Sequence, residues 1–467
     1  MTAFVDEAWA AALPTMMDYV AIPARSPMFD PQWEQHGHLA RAATLLRDWA
    51  TGQAIEGATV ELVQPAGLTP VLLVEIPATD AALADRTVVM YGHLDKQPEM
   101  LPWSDGLGPW TPVLRGERLY GRGGADDGYS IVAALIAVQA VREAGGAHAR
   151  IVVLIEASEE SSSVHLGAHL AQLLPRLGNA ELVIALDSFC ESYDRLWTTT
   201  STRGVVGGVL DVEVCLDDPH SGRASGVLPS SFRILRQLLD RLEDAATGAL
   251  LVRSAAVDIP AYRLDEAAIA AASFPALSGS FRPLPGVRSM HPDAAAELVA
   301  ETWRPALEVI GADGLPPVAD AGNVFRSRMS VKLSLRVPPT ADVHAVGDEL
   351  RALLESDPPY GARVRLHEGA RGPGWAAPEL APWLARATEA ASLRHFGAPV
   401  ASCGVGGTIP FMGMLGDPFP DAQFLLVGVL GPGSNAHGPD EFLHLPTARR
   451  VTASVADVLR AHAEREA

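Results

Sequence analysis

The chain has 467 residues, 48% of them hydrophobic and 20% charged, the balance of a soluble globular protein too long for one core, so two or three domains are expected. Asp and Glu number 56 against 36 Lys and Arg, a net charge of −20 with no basic run, which argues against nucleic acid as a partner.

The opening Met1-Thr-Ala-Phe-Val-Asp6-Glu7 is acidic where a signal peptide is basic, and no apolar run reaches the roughly 18 residues of a membrane span. The protein is therefore read as cytoplasmic, neither exported nor membrane-bound. Helices are predicted over 3–21 and 38–52, separated by the turn Ile22-Pro-Ala-Arg-Ser-Pro. Strands then alternate with helices: strands at 71–76 and 88–92, a helix after Gly128, a strand at 151–156, a helix near 166–174 and a strand at 182–187. That alternation predicts an α/β domain with a mostly parallel sheet flanked by helices, whose chemistry collects at the carboxyl ends of the strands. His93, Glu159, Glu160 and Asp187 fall there.

The pattern changes after Arg203-Gly204. A β-rich run over 205–216, a helix at 230–242, an alternating strand at 329–337, a helix at 343–354 and a strand at 362–367 predict an inserted α+β two-layer domain. Gly369-Ala-Arg-Gly-Pro-Gly374 reads as the return linker. A helix at 382–393, a strand at 424–430 and a helix at 448–461 complete the first domain. The expected division is 1–203, 204–373 and 374–467, with 248–317 Ala/Pro-rich and unplaced. Cys190, Cys215 and Cys403 are odd in number, form no Cys-x-x-Cys, and suit buried apolar roles in a reducing compartment.

Five stretches carry His and acidic residues: Tyr91-Gly-His93-Leu-Asp95, Gly121-Arg-Gly-Gly-Ala-Asp126-Asp127-Gly128, Glu156-Ala-Ser-Glu159-Glu160, Ala185-Leu-Asp187 and Ser434-Asn-Ala-His437-Gly-Pro. Each alone could be a polar turn. Together they supply what a paired-metal hydrolase needs, with Asp126 short and rigid enough to bridge two cations. Asp95 is placed to orient the ring of His93. Adjacent Glu159 and Glu160 leave a strand in different directions, so one can bind metal while the other faces a water. Asp187 is a strand-end cap or a ligand, and His437 stands in a loop too rich in Gly and Pro to be core. Mixed His and carboxylate donors suit zinc, with manganese or cobalt next.

In order and spacing this set resembles the dinuclear-zinc hydrolases that include carnosinase-type dipeptidases, aminoacylase, glutamate carboxypeptidase and acetylornithine deacetylase, and is nearest the bacterial dipeptidase-like branch. The resemblance implies a zinc-aminopeptidase-like catalytic domain with an inserted lid and dimerisation domain. It implies two divalent ions, one held by His93, Asp126 and Asp187, the other by Asp126, Glu160 and His437, with Glu159 as general base and a cis peptide at Asp126-Asp127. It also implies that Arg336, Gly406, Gly407 and Thr408 grip a substrate carboxylate, that Asn323 is a lid contact, and that His220 reaches the partner subunit's active site in a homodimer. Two departures bear on substrate preference: Asp126-Asp127-Gly128-Tyr129 stands where the dipeptidase branch continues Asp-Asp-Lys-Gly, and Cys403-Gly-Val precedes Gly406 where charged residues are usual. A small-peptide hydrolase is expected, with an N-acyl amino acid amidohydrolase or a metal-free binding protein as the alternatives. No Gly-x-Ser-x-Gly elbow or dinucleotide fingerprint occurs.

Overall fold

In the computed structural model, residues 1–465 are described except 274–276, 282, 409 and 417. The chain divides into two compact units, one of residues 1–200, 377–403 and 410–467, the other of 201–376 and 404–409.

The first unit is built on a mixed sheet. The strand Thr87–His93 lies at its centre, parallel to Arg150–Glu156 on one side and to Ala180–Ala185 on the other; Gln423–Leu426 extends the parallel set beyond Ala180–Ala185. Val71–Ile76 and Thr59–Val63 continue the sheet in antiparallel fashion past Arg150–Glu156. The central strands read as unbroken apolar runs because both faces are covered, and every residue of Thr87–His93 is buried. The helix Tyr129–Glu143 is apolar around nearly its whole circumference and buried accordingly, packed against the helices Thr2–Val20 and Leu445–Glu464. Sequence ranges 71–76, 151–156 and 382–393 fall on observed elements. The strand expected at 424–430 ends at Leu426.

The second unit carries an antiparallel sheet in the order Ala306–Asp313, Arg328–Val337, Gly204–Glu213, Arg363–Gly372. Strict alternation of burial along Gly204–Glu213 marks one covered face. Its apolar core includes residues of the helices Ser231–Leu239 and Val343–Glu355. The edge strand Ala306–Asp313 is exposed from Glu308 onward, with Val309 and Ile310 open to solvent and a register shift between Val309 and Gly311.

Three expectations need correction. Gly369–Gly374 is not a free linker: the strand Arg363–Gly372 runs through most of it, and after an irregularity Arg371 and Gly372 pair with Val206 and Val205. Cys190 and Cys403 are buried, but Cys215 is exposed. The unplaced 248–317 segment contains the helices Ala261–Ala271 and Ala294–Trp303 and the strand Ala306–Asp313; its residues 274–276 and 282 lie outside the described residues. No helix among the described residues is long and apolar enough to cross a membrane.

Candidate metal centre

The carboxyl ends of three parallel strands deliver the acidic and imidazole groups of the first unit. His93 is the last residue of its strand and is wholly buried. Its Nδ1 lies 3.0 Å from the main-chain oxygen of Asp95, so that nitrogen carries the proton and donates it. The lone pair of a neutral ring is thereby left on Nε2, which faces Asp126 Oδ1 at 3.2 Å and Asp187 Oδ2 at 3.7 Å. Three acceptors aimed at one point repel unless a cation or a proton stands between them.

Asp126 follows a turn that only glycine fits. Gly123 has φ +81, and a Cβ there would come 2.6 Å from the Lys96 side chain. The Asp126-Asp127 peptide is cis. While Oδ1 of Asp126 faces His93, Oδ2 lies 3.0 Å from Nε2 of His437, which is also 3.3 Å from Glu160 Oε2. The two oxygens of one carboxylate thus serve two histidines. Glu160 Oε2 also accepts from Gln97 Nε2 at 2.5 Å, whereas the buried Glu160 Oε1 has no hydrogen-bond partner.

Asp95 orients His93 chiefly through its main-chain oxygen. The carboxylate does different work: Oδ1 and Oδ2 accept from the backbone N–H groups of Glu159 and Glu160, each at 3.1 Å, and so fix the turn that presents both acids. Metal-ligating atoms come within 4.8 Å of one another in two sets, His93 with Glu159 and Asp187, and His93 with Asp126 and Glu160. Closeness alone therefore does not separate Glu159 from the ligands.

The electrostatics are those of an anionic pocket short of positive charge. Burial and the neighbouring acids push the Asp187 carboxyl up to about 7. Burial raises Glu159 as well, with Asp187 adding to it, and raises Glu160 with Asp126 adding. Asp126 alone is lowered: burial opposes its charge, but hydrogen bonds to His437 and His93 overcome it. Burial disfavours the charged imidazole of His93, yet hydrogen bonds to Asp126 and Asp95 hold its pKa well above the usual value. Protons are retained where divalent cations would satisfy the same oxygens, and the mixed N/O donor set fits such ions.

The remaining predicted residues lie in the second unit. Arg336 Nη1 is 3.4 Å from Thr408 Oγ1, and Thr408 donates to the main-chain oxygen of Arg203 at 2.5 Å. A Cβ on Gly406 would come 3.0 Å from the Arg203 guanidinium, so that turn packs too closely for a side chain. Burial lowers the Arg203 pKa to about 10, and Arg336 adds to that depression, placing a second guanidinium within electrostatic reach of Arg336. Ile409, in the run Gly406–Pro410, lies outside the described residues. His220 is exposed and pairs with Val324, the neighbour of Asn323, in an isolated antiparallel bridge. Its Nδ1 accepts from Gly222 N–H at 3.1 Å, which leaves Nε2 as the donor of the neutral ring.

Sequence reading missed Gln97, Arg122 and Glu441. Arg122 and Glu441 form a fully buried pair at 2.5 Å behind Asp126, bridging 319 positions of sequence. An Arg inside the glycine-rich motif was the visible signal; its partner had none.

A model of Peptidase family M20/M25/M40 matches residues 89–461. A cysteinylglycine-S-conjugate dipeptidase of Corynebacterium striatum is 27% identical over 396 residues, 80% of each chain. A beta-Ala-His dipeptidase of Homo sapiens is 28% identical over 351 residues, 73% of this chain and 68% of that one. The crystal structure of human carnosine dipeptidase 1 has the same fold, with a TM-score of 0.76 at 23% identity, covering 99% of this chain and 98% of that one.

Without cations, His437 should report the crowding directly. Burial opposes its charge, but hydrogen bonds to Asp126 and Glu160 raise its pKa from 6.5 to about 11. Stability from a raised pKa is fully present below the unfolded value of 6.5 and is lost as pH climbs through the folded value of about 11. Urea unfolding of chelated protein at several pH values from about 7 to 10 should show stability falling with pH, and less steeply in His437→Gln. Equal slopes would contradict the arrangement.

Proposed function

This chain belongs to peptidase family M20/M25/M40, and from that premise we propose that it hydrolyses the peptide bond of dipeptides or similar small peptides in a metal-dependent reaction, as the names of its relatives describe for them. The observation that carries the proposal is the Asp126 carboxylate, whose two oxygens face His93 and His437 at 3.2 and 3.0 Å. One cation is assigned to His93, Asp126 and Asp187, and a second to Asp126, Glu160 and His437. Zinc is the proposed ion, with manganese or cobalt as ions the same donors accept.

Bound there, two divalent cations would polarise the scissile carbonyl and make a water acidic enough to deprotonate near neutral pH. Glu159 is assigned the proton. Burial raises its affinity for one, and its backbone is fixed through Asp95, so it can take the proton of the attacking water and pass it to the leaving amine. Arg336 is assigned the substrate carboxylate, for which its planar fork is suited, with Thr408 and the backbone of Gly406 and Gly407 assisting. Asn323 is assigned a lid contact.

His220 is proposed to act in trans, within a homodimer joined through the second unit. Two features support this reading. The exposed edge strand Ala306–Asp313 offers unpaired backbone groups to another copy, and His220 Nε2 is left as a free donor for charge developing on the substrate carbonyl.

Assays of the metal-loaded protein against free dipeptides and N-acetyl amino acids decide the substrate class, with the dipeptides expected to turn over faster; the reverse order makes the chain an acyl amidohydrolase. Glu159→Ala should keep two equivalents of metal while losing about 10²–10⁴ in turnover. Loss of metal in that variant would mean that Glu159 and Glu160 exchange roles.

Co-expression of His220→Ala with Glu159→Ala chains tests the dimer. In a mixed dimer the His220→Ala chain keeps Glu159 and receives the partner subunit's His220, so one site in each pair should recover activity. Mixed dimers as inactive as either parent would rule out action in trans.

A further inference from the structure

The buried guanidinium of Arg122 touches three segments that each carry candidate ligands. Nη1 meets Glu441 Oε2 at 2.5 Å, Nη2 donates to the main-chain oxygen of Gly438 at 2.7 Å, and Nε donates to that of Pro98 at 3.2 Å. Gly438 follows His437. Pro98 lies in the segment that leaves His93 and carries Gln97, the donor to Glu160. Glu441 completes the arrangement from behind Asp126, its Oε1 accepting from the N–H groups of Gly123, Ala125 and Asp126 at 3.0, 3.3 and 3.4 Å.

Arg122 and Glu441 are 1% and 0% exposed, and neither faces the cluster of His93, Asp126, Asp187, Glu160 and His437 as a donor. A buried ion pair is a poor way to gain stability, because desolvating two charges consumes most of their attraction. Geometry is what this one supplies. His437 sits on an irregular loop with positive φ and a side chain 57% exposed. Neither strand nor helix holds it, and the hydrogen bond from Arg122 to Gly438 anchors the adjoining peptide.

We infer that Arg122 is a positioning residue, acting with Glu441, that sets the His437 loop against the Asp126 turn and so creates the second of the two cation sites. The inference rests on the two-cation reading proposed above. Asp126 and Glu160 alone would leave that second cation short of its nitrogen donor at a fixed distance. The cation held by His93, Asp126 and Asp187 depends on strand ends instead, so it should survive loosening of the His437 loop.

Metal binding to chelated protein provides the test, read by calorimetric titration with Co²⁺ and by the visible spectrum of the bound cobalt. Arg122→Ala would strand a buried Glu441 charge and could simply unfold the chain. Two other variants avoid this. Arg122→Lys keeps the charge but cannot reach both Glu441 and Gly438. The double variant Arg122→Met/Glu441→Gln removes both charges and keeps an acceptor for the N–H groups of Gly123, Ala125 and Asp126.

In both, the tighter Co²⁺ should bind within about threefold of wild type, and the weaker one should lose about 10- to 100-fold, the range seen when a group supporting a ligand is removed. The remaining single-cobalt spectrum should match that of His437→Ala. Unchanged affinities for both cations in folded Arg122→Lys would overturn the inference. A parallel loss at both sites, tracking a fall in Tm, would overturn it too and make the pair merely structural. A wild-type chain that binds fewer than two Co²⁺ would instead overturn the two-cation reading itself, and this inference with it.

Discussion

Acceptor groups forced to face one another are the constraint on which the first unit depends. His93 gives its only proton to the Asp95 backbone, so its Nε2 lone pair, Asp126 and Asp187 meet with nothing but a proton available to separate them. His437 meets Asp126 and Glu160 within 3.3 Å in the same way. Such an arrangement persists only because the rest of the unit holds it rigidly: parallel strands end at the site, a helix buried on all sides runs away from it, and the Asp95 carboxylate pins the Glu159–Glu160 turn. The folded chain is consistent with a protein shaped around absent positive charge, its acids pushed toward neutrality until cations replace the protons.

Much of this was legible in the sequence, for a physical reason. Unbroken apolar runs at 88–92, 151–156 and 182–187 mark strands covered on both faces, and a polar residue that ends such a run must sit at the sheet's edge, where ligands collect. That argument places His93, the two glutamates and Asp187 together without any knowledge of tertiary contacts. It also accounts for the α/β class and for the change to alternating strands after Arg203.

What escaped the sequence depends on pairing across long separations. Glu441 looks like one more surface acid in a Gly/Pro loop; only the folded chain shows it buried against Arg122. The role of Asp95 was misjudged for a similar reason, since a two-residue spacing predicts a side-chain contact with His93, while its carboxylate is taken by backbone N–H groups 64 and 65 residues away. The run at 369–374 contains the Gly and Pro of a linker, yet pairing with Val205 and Val206 recruits Arg371 and Gly372 into a strand. Likewise His220 and Asn323 gave no sign of being neighbours, and a backbone bridge sets them side by side.

The central claim is that Asp126 is shared by two cations. Anomalous diffraction from crystals of the zinc- or manganese-loaded protein tests it most directly. The account predicts two peaks about 3.5–4 Å apart, one on each oxygen of Asp126, with His93 and Asp187 around the first and Glu160 and His437 around the second. A single peak at full occupancy, or a pair that leaves Asp126 unligated, would contradict it.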